Sequence, residues 1–164
     1  MKQNNQIISN LSNTDYHSHH ALSSSNLKDL IQSPWKYQHN KQNPRTQTPA
    51  MVFGTLVHSL VLEPETFAEE YFIADRPERR SKAGKEQYAA LEQECGARQW
   101  ITQAEYLKAE DMAKPLFEND LVKKLLSGGE SEQSAFWIDE ESNLECKARA
   151  DYINIEEGYI LDLK

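Results

Sequence analysis

The chain of 164 residues fits one domain by the prior of roughly 100–200 residues per domain. Its 26 acidic against 18 basic side chains give a formal net charge of −8, which excludes a protein that coats nucleic acid by overall positive charge. Two isolated cysteines without metal-ligand spacing, no run of about 18 apolar residues and no signal-like apolar core at the N-terminus predict a soluble, cytoplasmic protein with no membrane partner.

The first part of the chain is polar and then becomes helical. Residues 1–20 are rich in Asn, Gln, Ser and His, and they predict a flexible polar arm. The stretch SSSNLKDLIQS predicts a helix that ends before Pro34, with an apolar stripe of Leu27, Leu30 and Ile31. Residues 40–49 are polar with two prolines and predict a loop.

The middle of the chain predicts further helices. The stretch from Ala50 to Leu62 is apolar without alternation, so a buried helix of about 12–14 residues is expected before Pro64. Residues 75–85 carry five basic side chains in eleven positions and predict a mobile basic loop. A helix is then expected to end near Gly96.

The pattern changes in the last third of the chain. QWIT predicts a short strand, and Thr102 with Glu105 matches a capping box that begins a helix reaching Pro115. A short helix is expected to end at Gly128. SAFWIDEE, LECKARADYINI and GYILDLK then predict strands joined by short turns, which gives an α+β class.

The last predicted hairpin brings two acidic residues together. A two-residue turn just before Gly158 places Asp151 opposite Asp162. A three-residue loop with Gly158 in a bulge shifts the register by one and leaves the carboxylates as neighbours. Because side chains alternate along a strand, Lys164 points the same way as Asp162.

Two opposed carboxylates destabilise a hairpin by a few tenths of a kcal/mol or more, and a divalent cation offsets that repulsion. Oxygen ligands with open water positions suit Mg²⁺ or Mn²⁺. An amine beside them can neutralise charge that builds on a phosphate oxygen, so the set is equipped for metal-assisted phosphodiester hydrolysis. The alternative is an ordinary surface hairpin with an ion pair, because D-x-K tripeptides are common.

Three stretches carry a resemblance to a known family, namely MVFGTLVHSLVLEPE, ESEQSAFW and KARADYINIEEGYILDLK. Together they resemble the exonuclease VIII (RecE-like) branch of the PD-(D/E)XK nuclease superfamily. The similarity runs from about residue 22 to the last residue. It implies a restriction-endonuclease-like α+β core in which N-terminal helices pack on a mixed sheet.

The resemblance also implies roles for individual residues. A metal ion, Mg²⁺ or Mn²⁺, would be held by His58, Asp151, Asp162 and the backbone carbonyl of Leu163. Lys164 would act on the attacking water, so Asp151, Asp162 and Lys164 are the candidate catalytic residues. His58 keeps a second interpretation, because a single histidine in an apolar helix is commonly a core residue.

Two weaker candidates accompany this set. Glu132 could orient a group that touches the metal ligands, or it could be an ordinary strand residue. The basic side chains of the 75–85 loop could contact DNA phosphates, or they could belong to a solvated loop. The four basic candidates are Arg79, Arg80, Lys82 and Lys85.

The resemblance implies an exonuclease that degrades double-stranded DNA from its ends in the 5′→3′ direction, in phage or prophage recombination. Its implied partners are double-stranded DNA ends, a single-strand annealing protein and identical subunits in a ring. The family pattern continues past the D-x-K, so we expect residues 21–164 to be the N-terminal portion of the domain, without its C-terminal strand and helix.

Two other hypotheses compete with this exonuclease. The chain could be an inactive truncated remnant that binds DNA or a recombination partner without cleaving. It could also be a nuclease of the same superfamily that carries an iron–sulfur cluster, but such a cluster needs four cysteines and the chain has two.

Overall fold

The computed structural model describes residues 5–9, 11–43 and 46–164. The chain divides into two compact units, where its length alone predicts one domain. The sheet unit contains the residues up to 47 together with 128–164, and the helical unit contains residues 48–127. Among the helices of these described ranges, none is both long enough and apolar enough to cross a bilayer.

Both units contain helices and strands. In the sheet unit they are β1 (Gln6–Ile8), α1 (Asn13–Ser18), α2 (Ser24–Gln32), α3 (Pro34–Gln42), β4 (Glu130–Ile138), β5 (Glu145–Asn154) and β6 (Tyr159–Leu161). In the helical unit they are α4 (Pro49–Leu62), α5 (Phe67–Glu70), β2 (Tyr71–Ile73), α6 (Lys82–Cys95), β3 (Gln99–Ile101), α7 (Gln103–Glu118) and α8 (Asp120–Leu125). This content confirms the predicted α+β class.

The sheet unit is built on a four-stranded antiparallel sheet in the order β1-β4-β5-β6. The last hairpin pairs Tyr152 with Leu161 and Asn154 with Tyr159, which is the register expected from the shorter of the two predicted turns. Gly158 adopts φ +74° in that turn, a conformation that glycine tolerates without strain. β6 ends at Leu161, so the predicted strand through residue 164 is longer than the observed one.

The structure differs from the prediction of a flexible polar arm over residues 1–20. Within that segment β1 pairs with β4, and Ser12 caps α1 by accepting a hydrogen bond from the Asp15 amide. Tyr16 is buried although its neighbours are polar. The reason is non-local, because this segment gains its contacts from strands more than 100 residues away. Residues 1–4 and 10 of the predicted arm lie outside the described residues.

α2 and α3 follow the predicted boundaries only in part. Ser23 caps α2 in a capping box, and Ser33 both ends α2 and caps α3, whose first residue is Pro34. α3 continues to Gln42 and so occupies the first part of the predicted 40–49 loop, of which residues 44 and 45 lie outside the described residues. The predicted apolar stripe of α2 stays exposed: Leu27 43%, Leu30 41% and Ile31 83%.

The helical unit has a core formed mainly where α4 packs on α7. Leu56 and Val57 of α4 are buried, and Ala109 and Ala113 of α7 are fully buried, so the small side chains let the two helices approach closely. This confirms the predicted buried helix, which spans 14 residues. The ring of Phe67 stacks on a neighbouring tyrosine at 4.7 Å and extends this core.

Local signals fix the ends of the other helices in this unit. Thr102 and Glu105 form the predicted capping box of α7, and α6 ends at the predicted Gly96. α7 nevertheless runs through Pro115 to Glu118. A proline inside a helix removes one intrahelical hydrogen bond, and the buried face of α7 keeps the helix continuous past that loss.

Candidate metal centre

Two carboxylates lie opposite each other on the central strands of the sheet. The pairs Ser131↔Tyr152 and Gln133↔Ala150 flank them, so Glu132 of β4 faces Asp151 of β5. A carboxylate oxygen of Glu132 and one of Asp151 lie within 4.8 Å of each other. Both residues are half-buried. A sheet thus presents two oxygen ligands at a spacing that one divalent cation can bridge.

The backbone at Glu132 adds a second unusual feature. Its φ is +50° near the start of β4, a conformation that non-glycine residues adopt rarely and at a cost of about 1–3 kcal/mol. Like charges directly opposite each other on paired strands also destabilise the pairing. The strained backbone and the opposed carboxylates both destabilise this position, and an ordinary strand has neither. Their coincidence at Glu132 indicates a functional constraint.

Arg149 lies beside this acidic pair. It precedes Asp151 by two residues on β5 and therefore shares its face of the sheet. Its Nη1 is 3.7 Å from a Glu132 oxygen, and its Nε donates a hydrogen bond to the Ser134 hydroxyl at 2.9 Å. The guanidinium, whose side chain is only 10% exposed, reduces the repulsion between the two carboxylates and helps to fix the side chain of Glu132.

The N-terminal segment holds Arg149 from the other side. The guanidinium donates to the Leu11 carbonyl and to Asn13 Oδ1, both at 2.7 Å, and its Cζ lies 4.3 Å from the centre of the Tyr16 ring. Lys147, two residues earlier on β5, donates to the Tyr16 carbonyl and lies 4.7 Å from the same ring. Burial and the charge of Arg149 lower the pKa of Lys147. The segment thereby covers the basic part of the face that carries the acidic pair.

Residues 162–164 follow β6 and contact the acidic pair through the backbone of Leu163. The Leu163 amide donates a hydrogen bond to Asp151 Oδ2 at 2.8 Å, which ties the end of the described chain to the acidic pair. The carboxylate of Asp162 forms an ion pair with Lys164, and both side chains are well exposed. The carboxylate that the β4–β5 pairing places opposite Asp151 is that of Glu132, which the sequence suggested only as an orienting residue.

The last hairpin alone does not indicate the position of Glu132, because Glu132 lies on the preceding strand pair. The β4–β5 pairing was predicted in outline, and extending its register from the turn around Asn143 would have placed Glu132 opposite Asp151. The positive φ at Glu132, by contrast, has no sequence signal, since Gly, Asn and Asp are the usual residues there.

The remaining candidates lie in the helical unit. His58 is on α4 and is half-buried, between the buried residues Val57 and Ser59. The basic residues of the predicted loop gather around the start of α6, which Ser81 caps by accepting a hydrogen bond from the Gly84 amide at 3.0 Å. That stretch is held by contacts with the helix, which differs from the mobile loop that was expected.

These features define an α+β protein with a candidate cation site on an antiparallel sheet. Over residues 23–164 the chain matches the model of the family described as a PDDEXK-like domain of unknown function (DUF3799), and it belongs to that family. Membership supports the PD-(D/E)XK superfamily and points to a nuclease-type hydrolytic function. No curated protein matches the chain significantly.

Proposed function

We propose that the protein is a metal-dependent deoxyribonuclease that hydrolyses phosphodiester bonds of double-stranded DNA. The observation that carries the proposal is the opposed pair Glu132 and Asp151, held at a strained strand position in a chain of the PDDEXK-like family. The proposal extends to exonuclease VIII-like digestion of DNA ends from 5′ to 3′ in the cytoplasm, in phage or prophage recombination, on the strength of the sequence resemblance.

The proposed ligand set contains Glu132 and Asp151, whose carboxylate oxygens lie close enough together to hold one cation. His58 joins them as the ligand that the sequence resemblance implies. The carboxylates fit Mg²⁺ or Mn²⁺, and the imidazole favours Mn²⁺ over Mg²⁺. Asp162 and the Leu163 carbonyl, which the resemblance implies as ligands, form the competing set with His58 and Asp151. When bound, such a cation polarises a phosphoryl oxygen and lowers the pKa of a coordinated water.

The protein side chains supply orientation and charge in this proposal. Arg149 fixes the carboxylate of Glu132, and the Leu163 amide donates to Asp151, so both acidic groups are held before substrate arrives. Lys164 is the group proposed to act on the attacking water. Its ammonium forms an ion pair with Asp162, and an ammonium at this place can stabilise an oxygen on the phosphate as negative charge builds there.

The test is nucleotide release from linear double-stranded DNA with Mg²⁺ or Mn²⁺, compared with closed circular DNA. We expect release from the linear form, and we expect Glu132→Gln and Asp151→Asn each to reduce it at least 100-fold. Glu141→Gln removes one exposed carboxylate from the turn of the same hairpin and serves as the matched control with unchanged rate. No release from either DNA by the wild-type protein would contradict the proposal.

A second comparison separates the two ligand sets. If Glu132 is a ligand, Glu132→Gln should abolish the rise in unfolding temperature that Mn²⁺ gives. Asp162→Asn should then preserve most of that rise. The reverse result would favour the set implied by the resemblance. Wild-type DNA binding without cleavage under all metals would instead support the alternative of a non-cleaving DNA-binding protein.

A further inference from the structure

The helical unit carries a group of aromatic rings with an arginine on each, which we call the arginine platform. Its rings are in contact: Trp100 lies 5.1 Å from Tyr88 and 5.8 Å from Phe72, measured between ring centres. The guanidinium carbons lie above these rings at 4.4 Å for Arg79 on Tyr88, 4.9 Å for Arg98 on Phe72 and 5.7 Å for Arg76 on Trp100.

A guanidinium that lies on an aromatic ring still has its outer face and its N–H edges available for a ligand. Arg76 and Arg98 use some of these donors on backbone carbonyls, of Trp100 and Cys95 respectively. Arg79 is exposed, and no ion pair or hydrogen bond of its head group is found within the described part of the chain. Arg79 therefore presents a positioned cation whose donors are open.

Two acidic side chains that lie close to the platform residues in the sequence or in charge coupling are engaged by hydrogen bonds. Asp75 accepts a hydrogen bond from the Gln103 amide, and Glu105 accepts two from Thr102 at the start of α7. Those bonds from the Thr102 backbone and hydroxyl lower the pKa of Glu105, and the charge of Arg76 contributes. Residues 75–85 still carry five basic against two acidic side chains in a protein of net charge −8. A local positive surface remains.

The loop that carries Arg79 is held in place by close packing on α6. A Cβ added at Gly84 would lie 1.9 Å from the Glu78 carbonyl oxygen, so only glycine permits this approach. This close approach restrains the backbone next to Arg79, whose guanidinium lies on the Tyr88 ring. A restrained cation loses less conformational entropy on binding than a free side chain.

We propose that the arginine platform is a contact site for the phosphate backbone of double-stranded DNA. The choice of DNA as the ligand rests on the proposed function. The chemistry of the contact comes from the platform itself: its rings lie under arginines, so bases cannot stack on them, while open guanidinium donors suit phosphate oxygens. Such a contact is independent of sequence and weakens as salt rises.

The test measures the binding of a fluorescently labelled blunt duplex in EDTA, by anisotropy between about 50 and 200 mM salt. For Arg79→Gln we expect at least 3-fold weaker binding at the lower salt, and a slope of log K against log salt that is smaller by about 0.9. Arg79→Lys keeps the charge and should keep most of the slope. Tyr88→Leu keeps every charge and should weaken binding about 2-fold, because Arg79 loses its support.

Lys114→Gln is the matched control, since it removes an exposed charge from α7, outside the platform. Equal effects of Arg79→Gln and Lys114→Gln on affinity and slope would overturn the proposal, as would a wild-type protein that binds no duplex. A third outcome would support the platform and contradict the nuclease proposal. In it, the wild type binds DNA with the expected salt slope, Arg79→Gln lowers that slope, and no nucleotide is released with metal. If the wild type cleaves while Arg79→Gln binds like the control, the platform fails and the nuclease proposal stands.

Discussion

The guanidinium of Arg149 lies 3.7 Å from the carboxylate of Glu132, while its other donors are bound to residues near the start of the chain. One side chain therefore links the N-terminal segment to the acidic pair. Because Arg149 is mostly buried and its contacts have good geometry, it acts as a fixed positive charge next to the proposed metal ligands. The geometry of Glu132 depends on contacts that lie outside its own hairpin.

Arg149→Met should lower the free energy of unfolding by about 3 kcal/mol, because it leaves the Leu11 carbonyl and Asn13 without their donor and removes a charged hydrogen bond to Ser134. Urea denaturation measures the change. Arg80→Met removes an exposed arginine and should change stability by no more than about 0.5 kcal/mol. Equal stability of both variants would show that the Arg149 contacts contribute nothing.

The strained backbone at Glu132 predicts an unusual order of stabilities. Without metal, Glu132→Gly should be more stable than Glu132→Ala by about 1 kcal/mol, because glycine adopts φ +50° without strain. In an ordinary strand position the alanine variant would be the more stable of the two. Both variants should lose the thermal stabilisation given by Mn²⁺. Thermal unfolding with EDTA and with Mn²⁺ measures both effects.

Two glycines in helices should respond to alanine in opposite directions. Gly54 in α4 has open space where a Cβ would be added, so Gly54→Ala should stabilise the protein by about 0.5–1 kcal/mol. Gly84→Ala must displace the Glu78 carbonyl, so it should destabilise the protein and also weaken DNA binding by moving Arg79. Chemical denaturation and anisotropy separate the two cases. Unchanged DNA affinity in Gly84→Ala would contradict the positioning of Arg79 by this loop.

The capping box of α7 predicts a dependence on pH. The Thr102 amide and hydroxyl donate to Glu105 and lower its pKa from the ordinary value of 4.5. A carboxyl whose pKa is lowered on folding stabilises the protein above its unfolded-state pKa, and this contribution is lost as pH falls through the folded-state value. Glu105→Gln should therefore be less stable than wild type near pH 7, with the difference shrinking below about pH 4.5. Urea denaturation at several pH values measures this trend, and a constant difference would contradict it.

Loss of the Thr102 side chain should have a related effect. Thr102→Ala removes the acceptor for the Glu105 amide and should lower the free energy of unfolding by about 1 kcal/mol near pH 7. Thr66→Ala is a useful control because Thr66, the residue before α5, makes no side-chain cap. Equal destabilisation by both substitutions would argue against the capping contribution.

The features predicted correctly depend on neighbouring residues. The capping box at Thr102 and the end of α6 at Gly96 each follow from a few adjacent side chains, and the register of the last hairpin is one of the two that its turn allows. The α4 helix follows from an uninterrupted apolar stretch. These signals are local, so one sequence is enough to read them.

The features that were missed depend on contacts between distant parts of the chain. β1 and Tyr16 look like part of a polar arm until β4 and β5 are in place to receive them. The role of Glu132 depends on the pairing of β4 with β5 and on a positive φ that its residue type does not indicate. The helix past Pro115 depends on packing, which overrides the local tendency to stop.

The pairing of β1 with β4 has a practical consequence for work on this family. β1 lies at residues 6–8, whereas the family match begins at residue 23. A protein shortened to that match would leave the backbone N–H and C=O groups along one side of β4 without partners, and such an open side recruits other chains. Expression trials guided only by the family boundary should therefore yield self-associating material, and including the first 22 residues should restore a monodisperse preparation.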